Sequence, residues 1–387
     1  MPRVLLAAVL ASALLAAPSS ADVRHGPSGL RFYTPTKHLH GHHGRLYWWR
    51  TQKGGDALKG AKRNLLILYR SSGGDGPLVS GSVAVPKGKT PKGGWPVVAY
   101  AHGTTGVADA CAPTRGYDVN DLTSYAFPLL QRWLKAGFAV VRTDYNGLGT
   151  RGVHEYLVGK SEGRAVLDSV LAARQLLPRT LSKRYVIAGH SQGGHAALFA
   201  AAAAPHYAPG LRLRGTVAFA PASHLKTQFQ AITNIKKAGG GLGGIVALGL
   251  RAIDAAYPGL HVTSLLTPRA QALFPQTNSG CYDALAKPDS FGGLPLDEFL
   301  DTSKDLTPLL NDVGKNDPEH LRMTTPVRIE QGTADQTVFE SFTKQLVDEY
   351  EANYVNVIYK TYAGVSHGGI VNAAAGDSTK WIRKRLR

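Results

Sequence analysis

The residues best suited to nucleophilic chemistry lie in the segment Gly189-His190-Ser191-Gln192-Gly193-Gly194. The apolar run YVIA precedes it and an alanine-rich run follows, as expected for a strand, a sharp turn and a helix. In such a nucleophile elbow the serine takes unfavourable backbone angles that aim its hydroxyl out of the sheet, and small residues two positions away on either side avoid collisions. The motif therefore predicts Ser191 as a nucleophile, with the amino end of the helix offsetting negative charge.

A second segment, Gly159-Lys160-Ser161-Glu162-Gly163, also matches the pattern G-x-S-x-G and precedes a predicted helix. The residues before it, VHEYLV, make a poor buried strand, and Arg164 stands where the helix after Ser191 has Gly194. We therefore favour Ser191 as the nucleophile. Ser161 is expected to cap the helix that follows it, with Glu162 in the first turn.

A serine hydroxyl is a weak nucleophile at neutral pH, so a histidine must take its proton and an acid must orient that histidine. In open α/β sheets that carry such a triad, the chain order is serine, acid, histidine. Asp335 follows one predicted strand and His367 follows the last one, so both fall at the carboxyl edge of the sheet. Glu330 is a rival acid that lies inside the strand pattern, and Asp335 has the alternative role of capping a helix near Thr337. Of the histidines after the serine, only His367 also follows Asp335.

The tetrahedral intermediate of acyl transfer needs two hydrogen-bond donors for its oxyanion. One expected donor is the backbone N–H of Gln192, at the start of the elbow helix. The second is expected in the glycine-containing loop His102 to Gly106, after the third predicted strand. The residues leave open whether Thr104 or Thr105 supplies it, and a plain tight turn is the alternative interpretation.

Strand-like and helix-like runs alternate from about residue 65 onward. This alternation predicts a doubly wound, mostly parallel sheet with helices on both faces, an α/β fold. The predicted strands cover residues 65–70, 79–85, 97–101, 138–143, 185–188, 215–220, 326–331 and 354–360, and the predicted helices cover 123–136, 162–177, 192–204 and 338–350.

The alternation stops after Pro221. Residues 222–320 contain helical pieces, a glycine cluster and several prolines but no clear buried strand, which indicates a largely helical cap or lid inserted over the carboxyl edge of the sheet. The predicted core is therefore divided into residues 61–221 and 321–387. The glycine- and histidine-rich residues 22–60 are expected to wrap the surface.

The chain begins with Arg3 and an apolar run from Val4 to Ala17, followed by small residues. This pattern is typical of a secretory signal peptide, here residues 1–21. The alternative is a membrane anchor, which needs about 20 apolar residues. We expect a secreted protein, extracellular or periplasmic.

The net charge of +17 arises from basic residues along the whole chain, with a cluster at its end. No arginine-rich helix interleaved with aromatic residues indicates a nucleic-acid surface, so no nucleic-acid partner is expected. The expected consequence is loose attraction to anionic or lipid surfaces.

Cys111 and Cys281 are the two cysteines of the chain. In an exported protein an even count favours a disulfide, and two lone buried thiols are the alternative. The histidine-rich residues 38–43 have a spacing that can bind a transition metal. No cysteine or carboxylate accompanies them, so an exposed segment without metal is expected. No P-loop or dinucleotide fingerprint is present, and no cofactor is expected.

The segments AYAHGTTG, CAPT, GHSQGGHAAL, QGTAD and GVSH together resemble the secretory lipase family of α/β-hydrolases, from about residue 60 to the carboxyl end. The resemblance implies the α/β-hydrolase fold, ester hydrolysis and a lid over the acyl site. It also implies a disulfide between the oxyanion loop and the cap, for which Cys111 and Cys281 are suitably placed. It assigns the triad and the second oxyanion donor to Ser191, Asp335, His367 and Thr105.

Together these features predict a serine carboxylic-ester hydrolase, a lipase or esterase, that acts on ester or lipid substrates through an acyl-enzyme. An acyltransferase or a serine peptidase would use the same triad. A non-catalytic binding module would lack a member of the triad, and here every candidate member is present.

Overall fold

The computed structural model describes residues 24–36, 39–72, 74, 76–116 and 122–387. The predicted signal peptide and His38 lie outside these described residues. Among the helices of the described part, none is both long and apolar enough to cross a membrane.

A ten-stranded sheet forms the centre of the fold. Its strands are β1 (Arg24–His25), β2 (Leu46–Thr51), β3 (Arg63–Arg70), β4 (Leu78–Val85), β5 (Trp95–Ala101), β6 (Ala139–Thr143), β7 (Leu181–His190), β8 (Arg212–Phe219), β9 (Val327–Gly332) and β10 (Val357–Tyr362). Their spatial order is β1-β2-β3-β4-β6-β5-β7-β8-β9-β10. Strands β5 to β10 are parallel to one another, whereas β4 pairs antiparallel with both β3 and β6. The prediction of a mostly parallel sheet is confirmed.

Helices cover both faces of this sheet, because the central strands are apolar on both sides. The core helices are α1 (Phe127–Lys135), α2 (Gly159–Leu176), α3 (Gln192–Tyr207), α9 (Glu340–Ala352), α10 (Ile370–Ala373) and α11 (Ala375–Leu386). Helices α2 and α3 share one apolar cluster with the sheet, and α1 and α11 share another on the opposite face. Helices α2 and α3 approach closely, since a Cβ on Gly163 would lie 2.8 Å from the backbone nitrogen of Ala200.

The amino-terminal segment does more than wrap the surface, because β1 and β2 extend the sheet at one edge. Trp48 in β2 donates its indole N–H to the carbonyl of Phe32 at 3.0 Å. His43 lies 2.8 Å from the buried Asp168 of α2. The structure corrects the expectation of a surface wrap for these residues. The run LYWWRT is short and lies in a glycine- and histidine-rich stretch, so the sequence pattern did not indicate a strand there. The domain boundaries stay predictions.

Helices and 3-10 turns fill the segment between β8 and β9, where the sequence predicts a helical cap over residues 222–320. Its helices are α4 (Leu225–Ile232), α5 (Gly241–Ala256), α6 (Pro268–Leu273), α7 (Tyr282–Leu285) and α8 (Thr307–Gly314), joined by 3-10 turns. The cap has its own apolar cluster, in which Phe291 and Phe299 stack with their ring centroids 5.6 Å apart. The sheet therefore has a second, separate apolar layer above its carboxyl edge.

Candidate active site

Ser191 lies at the turn between β7 and α3 with φ 57° and ψ −120°, a strained conformation for a residue with a side chain. The glycines around it are sterically required. A Cβ on Gly189 would lie 1.9 Å from the carbonyl oxygen of Gly193, and a Cβ on Gly193 would lie 2.0 Å from that of Ala101. The strain is held in place by the Ser191 N–H, which donates to the carbonyl of Phe219 in the neighbouring strand at 2.9 Å.

Ser161 has none of these features. It lies inside α2, two residues after its first residue, and its hydroxyl accepts a hydrogen bond from the Asn146 side chain at 2.7 Å. The amino-terminal cap residue of α2 is Val158, so the expectation that Ser161 caps this helix is wrong. Glu162 does lie in the first turn, as expected.

Asp335 and His367 form a hydrogen-bonded pair, with Asp335 Oδ2 2.7 Å from His367 Nδ1. The other carboxylate oxygen of Asp335 accepts from the backbone N–H groups of Thr337 and Val338 at 2.8 and 2.9 Å. Asp335 therefore organises the turn after β9 and also contacts the histidine. The rival acid Glu330 lies buried in β9 and pairs with Arg328 at 2.5 Å.

His190, a residue of the elbow motif for which the sequence predicted no role, joins the His367 loop to the elbow. Its Nε2 lies 3.0 Å from the His367 carbonyl oxygen, and the two imidazole rings are 4.5 Å apart, centroid to centroid. Its Nδ1 lies 2.6 Å from the Tyr125 hydroxyl. Burial lowers the pKa of His190 well below its ordinary value, so the ring is neutral and donates from one nitrogen while accepting at the other. Since His190 directly precedes Ser191, His367 is held next to the elbow.

The two segments expected to supply the oxyanion donors lie against each other, since a Cβ on Gly193 would lie 2.6 Å from the His102 carbonyl oxygen. Gln192 is the first residue of α3, where a backbone N–H has no acceptor within the helix. On the facing loop, the Thr104 hydroxyl lies 2.9 Å from the Tyr156 hydroxyl, whereas the Thr105 side chain is buried and its hydroxyl has no hydrogen-bond partner. The Thr105 carbonyl accepts from the Tyr282 N–H at 2.9 Å.

A disulfide between Cys111 and Cys281 fastens this loop to the cap, as the family resemblance implied. Gly106 of the loop packs against it, and a Cβ on that glycine would lie 2.5 Å from Cys111 Sγ. Gly106 also has φ 147°, in the region that favours glycine. The disulfide therefore holds the cap at a fixed distance from the loop after β5.

An apolar cavity of about 150 Å³ lies between the cap and the core, with Ser191 among its lining residues. Helices α4 and α5 form one wall, and the turn after Asp335 forms the other. Leu225, Phe229, Val246, Gly249 and Val338 are among the residues of these walls, and Phe342 of α9 also lines the cavity. Ile235 and Phe339, two exposed apolar side chains, also line it.

Potential metal ligands meet where the cap joins the core, in a cluster of His224, Glu319 and Glu349. Glu319 lies 3.1 Å from Nδ1 of His224, and Glu349 lies 3.4 Å from Nε2. Because the carboxylates flank opposite ring nitrogens, the three side chains form polar contacts that join both ends of the cap to α9. In the histidine-rich stretch, His43 instead pairs with Asp168 and packs 4.2 Å from the Tyr207 ring.

A mostly parallel sheet with a strained serine between β7 and α3, and an Asp–His pair after the later strands, defines the α/β-hydrolase fold. Solved structures share it. Lipase A of Candida antarctica in its closed state superposes with a TM-score of 0.71 at 19% identity, covering 88% of this chain and 83% of that one. The rice cell wall degrading esterase LipA of Xanthomonas oryzae gives 0.70 at 21% identity, covering 89% and 98%.

The Secretory lipase family model matches residues 120–387, more than half of the chain, so the chain belongs to the secretory lipase family. One relative is the "probable inactive lipase MT1628" of Mycobacterium tuberculosis (strain CDC 1551 / Oshkosh), 27% identical over 83% of this chain and 73% of that protein. Another is lipase A of Moesziomyces aphidis, 28% identical over 43% of this chain and 35% of that protein.

Proposed function

We propose that this protein is a secreted carboxylic-ester hydrolase in which Ser191, His367 and Asp335 act as a catalytic triad. The hydrogen-bonded Asp335–His367 pair held beside the strained Ser191 elbow is the observation that carries this proposal. Secretion rests on the apolar amino-terminal run and on membership of a family of secretory lipases.

The triad would act in two acyl-transfer steps. His367 takes the proton of the Ser191 hydroxyl as the oxygen attacks the ester carbonyl, while Asp335 fixes the imidazole through Nδ1. The same histidine gives that proton to the departing alcohol. A water molecule, deprotonated by His367, then attacks the acyl-enzyme and releases the carboxylic acid, and no cofactor enters the cycle.

The negative charge on the carbonyl oxygen would rest on the backbone N–H of Gln192 and a second donor from the loop His102 to Gly106. The buried, unpartnered hydroxyl of Thr105 favours this residue for the second donor, because the Thr104 hydroxyl is already bonded to Tyr156. Donors placed before the reaction stabilise the transition state without reorganisation.

The substrate would place its acyl group in the apolar cavity beneath the cap. Esters and lipids fit this cavity because its walls are largely aliphatic and aromatic. The peripheral partners that fit the net charge of +17 are anionic or lipid surfaces.

Hydrolysis of p-nitrophenyl esters from acetate to palmitate tests the proposal, with the protein compared against Ser191→Ala and Ser161→Ala. We expect Ser191→Ala to lower kcat by at least about a thousandfold, since the triad acts as a unit. Ser161→Ala is the matched control and should retain the wild-type order of magnitude.

A fluorophosphonate probe should label the wild type and the control at Ser191 and leave Ser191→Ala unlabelled. Because one relative carries the name of an inactive lipase, the wild-type rate is itself decisive. Activity that survives in Ser191→Ala would remove the nucleophile assignment. A wild type that neither hydrolyses esters nor reacts with the probe would remove the enzymatic function.

A further inference from the structure

Glu162 is a fully buried carboxylate beneath the nucleophile elbow and lies outside the proposed triad. Its Oε1 accepts from the side-chain amide of Gln192 at 2.6 Å and from the backbone N–H of Leu157 at 3.0 Å. An isolated buried charge is strongly unfavourable, so a carboxylate at this place needs the donors that surround it.

Both amide protons of the Gln192 side chain are committed to this cluster. One points to Glu162, and the other points to Nε2 of His154 at 2.8 Å. His154 accepts there because its Nδ1 donates to the carbonyl of Asn146 at 2.9 Å. Burial lowers the pKa of His154 to about 3, which keeps the ring neutral and fixes this pattern.

The second oxygen of Glu162 reaches the same helix one turn further along. It lies 3.4 Å from Nδ1 of His195, whose Nε2 lies 2.8 Å from the carbonyl of Asn316 at the end of the cap. Both ring nitrogens of His195 thus face oxygen atoms. Glu162 therefore holds α3 at Gln192 and at His195.

The first turn of α3 needs such an anchor, because Gln192 is followed by Gly193 and Gly194. These glycines are required for close packing and give the backbone little side-chain support. Ser191 itself is in a strained conformation that the surroundings must hold. Gln192 is the first residue of this turn and has a long side chain that reaches a fixed partner.

We propose that Glu162 is a positioning residue that orients the backbone N–H of Gln192 toward the oxyanion, acting through the Gln192 side chain. This inference rests on the proposed function, since it presumes that the N–H of Gln192 is an oxyanion donor. An oxyanion donor stabilises the transition state best when its direction is fixed in advance. Loosening the first turn of α3 would therefore reduce the stabilisation of the transition state more than it reduces the affinity for substrate.

The test replaces Glu162 by glutamine, which keeps the shape but removes the negative charge and leaves one acceptor oxygen where the carboxylate has two. We expect kcat to fall about 10- to 100-fold while KM stays within about threefold, in keeping with misplaced donors. The matched control is Asp168→Asn. Asp168 is a fully buried carboxylate on the same helix, but it bonds to Ser71 and Tyr207, away from the elbow. Its substitution should lower the melting temperature without changing kcat.

A double-mutant cycle with Gln192→Met separates positioning from general stability. If Glu162 acts through Gln192, then Glu162→Gln should add little further loss of kcat in the Gln192→Met background. The proposal would be overturned if the losses of kcat in the two single variants multiplied in the double variant. It would also be overturned if Glu162→Gln lowered the melting temperature and left kcat unchanged. If Glu162→Gln does not fold, Gln192→Met alone must show the same loss of kcat at unchanged KM for the proposal to stand.

Hydrogen–deuterium exchange of the peptide that contains the elbow gives a readout independent of turnover. Exchange there should be faster in Glu162→Gln than in the wild type and in Asp168→Asn, and equal exchange in all three would reject the anchor. Failure of the proposed function would show in the wild type as missing ester hydrolysis. Failure of this inference would show only in the variants.

Discussion

At the scale of single residues, Asp335 combines two roles that the sequence could present only as alternatives. One carboxylate oxygen accepts from two backbone N–H groups of the following turn, and the other accepts from His367 and, at 3.2 Å, from the Gln331 side chain. The same side chain therefore fixes the turn and orients the histidine, so capping and orientation support each other.

Asp144 is another buried carboxyl group, and its burial favours the protonated form. It directly follows β6 and accepts from the Ser80 hydroxyl at 2.6 Å and the Thr114 N–H at 3.3 Å. Burial is the main cause that raises its pKa from 3.8 to about 7. The folded state therefore holds this proton more tightly than the unfolded state does.

The sign of the resulting pH dependence follows from proton linkage. Between pH 4 and 7 the unfolded chain releases the proton of Asp144 while the folded chain keeps it, so the group lowers the free energy of unfolding as the pH rises, by up to about 4 kcal/mol. We expect Asp144→Asn to gain stability relative to the wild type between pH 5 and 8 in urea unfolding. A constant difference across this range would contradict the raised pKa.

Sequence motifs could indicate the triad candidates because their chain order and their places at strand ends are local features. Ser191, Asp335 and His367 were found in this way, and the structure brings the last two into contact. The contacts of His190 and Glu162 could not be predicted from local motifs, because each contact involves residues distant in the chain. Glu162 lies in the second G-x-S-x-G segment, which we interpreted as a helix start. Its contact with α3 depends on the tertiary fold and is not visible in that motif.

At the scale of elements, the cavity beneath the cap is shaped by α5, in which Gly249 faces Phe229. A Cβ on Gly249 would lie 3.0 Å from the ring of Phe229, so the absence of a side chain keeps this wall open. The proposed acyl site therefore owes part of its length to one glycine in a helix, where glycine is otherwise unfavourable.

Substitution of Gly249 by leucine should shorten the site. We expect the ratio of kcat/KM for p-nitrophenyl palmitate to that for the acetate to fall by about tenfold or more, since lost apolar contacts of this size change specificity to that extent. Ala255→Leu, in the same helix but outside the cavity lining, is the control and should keep the wild-type ratio. An unchanged ratio in Gly249→Leu would place the acyl chain elsewhere.

The core elements could be predicted from the sequence because buried parallel strands are continuous apolar runs between turn residues. Strands β5 to β10 were predicted in this way, with ends that differ by a few residues. Strand β2 was missed because it is a short run in a glycine- and histidine-rich stretch, and its pairing with β1 and β3 is a tertiary property. The path of the cap could not be predicted either, since its helices are held by contacts with one another.

At the scale of the whole molecule, positive charge collects at the amino edge of the sheet, the edge where the parallel strands begin. The cap holds eight lysines and arginines and ten aspartates and glutamates, so it does not carry the excess charge. The end of α11 joins the amino edge, as Arg184 donates to the carbonyl of Arg387 at 2.9 Å. The exposed cations there are Lys53, Lys59, Lys62, Arg63, Lys87, Lys89, Lys92, Lys135, Arg179, Lys183, Arg212, Arg214, Arg322, Arg383, Lys384 and Arg387.

This edge is opposite to the cavity, whose exposed apolar residues Ile235 and Phe339 lie at the carboxyl edge. An anionic surface would therefore attract the amino edge and leave the proposed active site open to solution. Because the cations are exposed, the attraction should weaken steeply with salt, as the Debye length is about 10 Å at 0.1 M.

Charge reversal at matched places tests this asymmetry. The triple variant Lys87→Glu, Lys89→Glu and Lys92→Glu changes the amino edge, and Lys236→Glu, Lys237→Glu and Lys287→Glu changes the cap by the same net charge. Each lysine near an anionic membrane contributes about 1 kcal/mol, so the first variant should bind phosphatidylglycerol vesicles at least about tenfold more weakly than the second at low salt. Hydrolysis of a soluble ester by the vesicle-bound wild type should continue, because the cavity faces away. Equal weakening in the two variants would mean that net charge alone governs binding and that the amino edge has no special role.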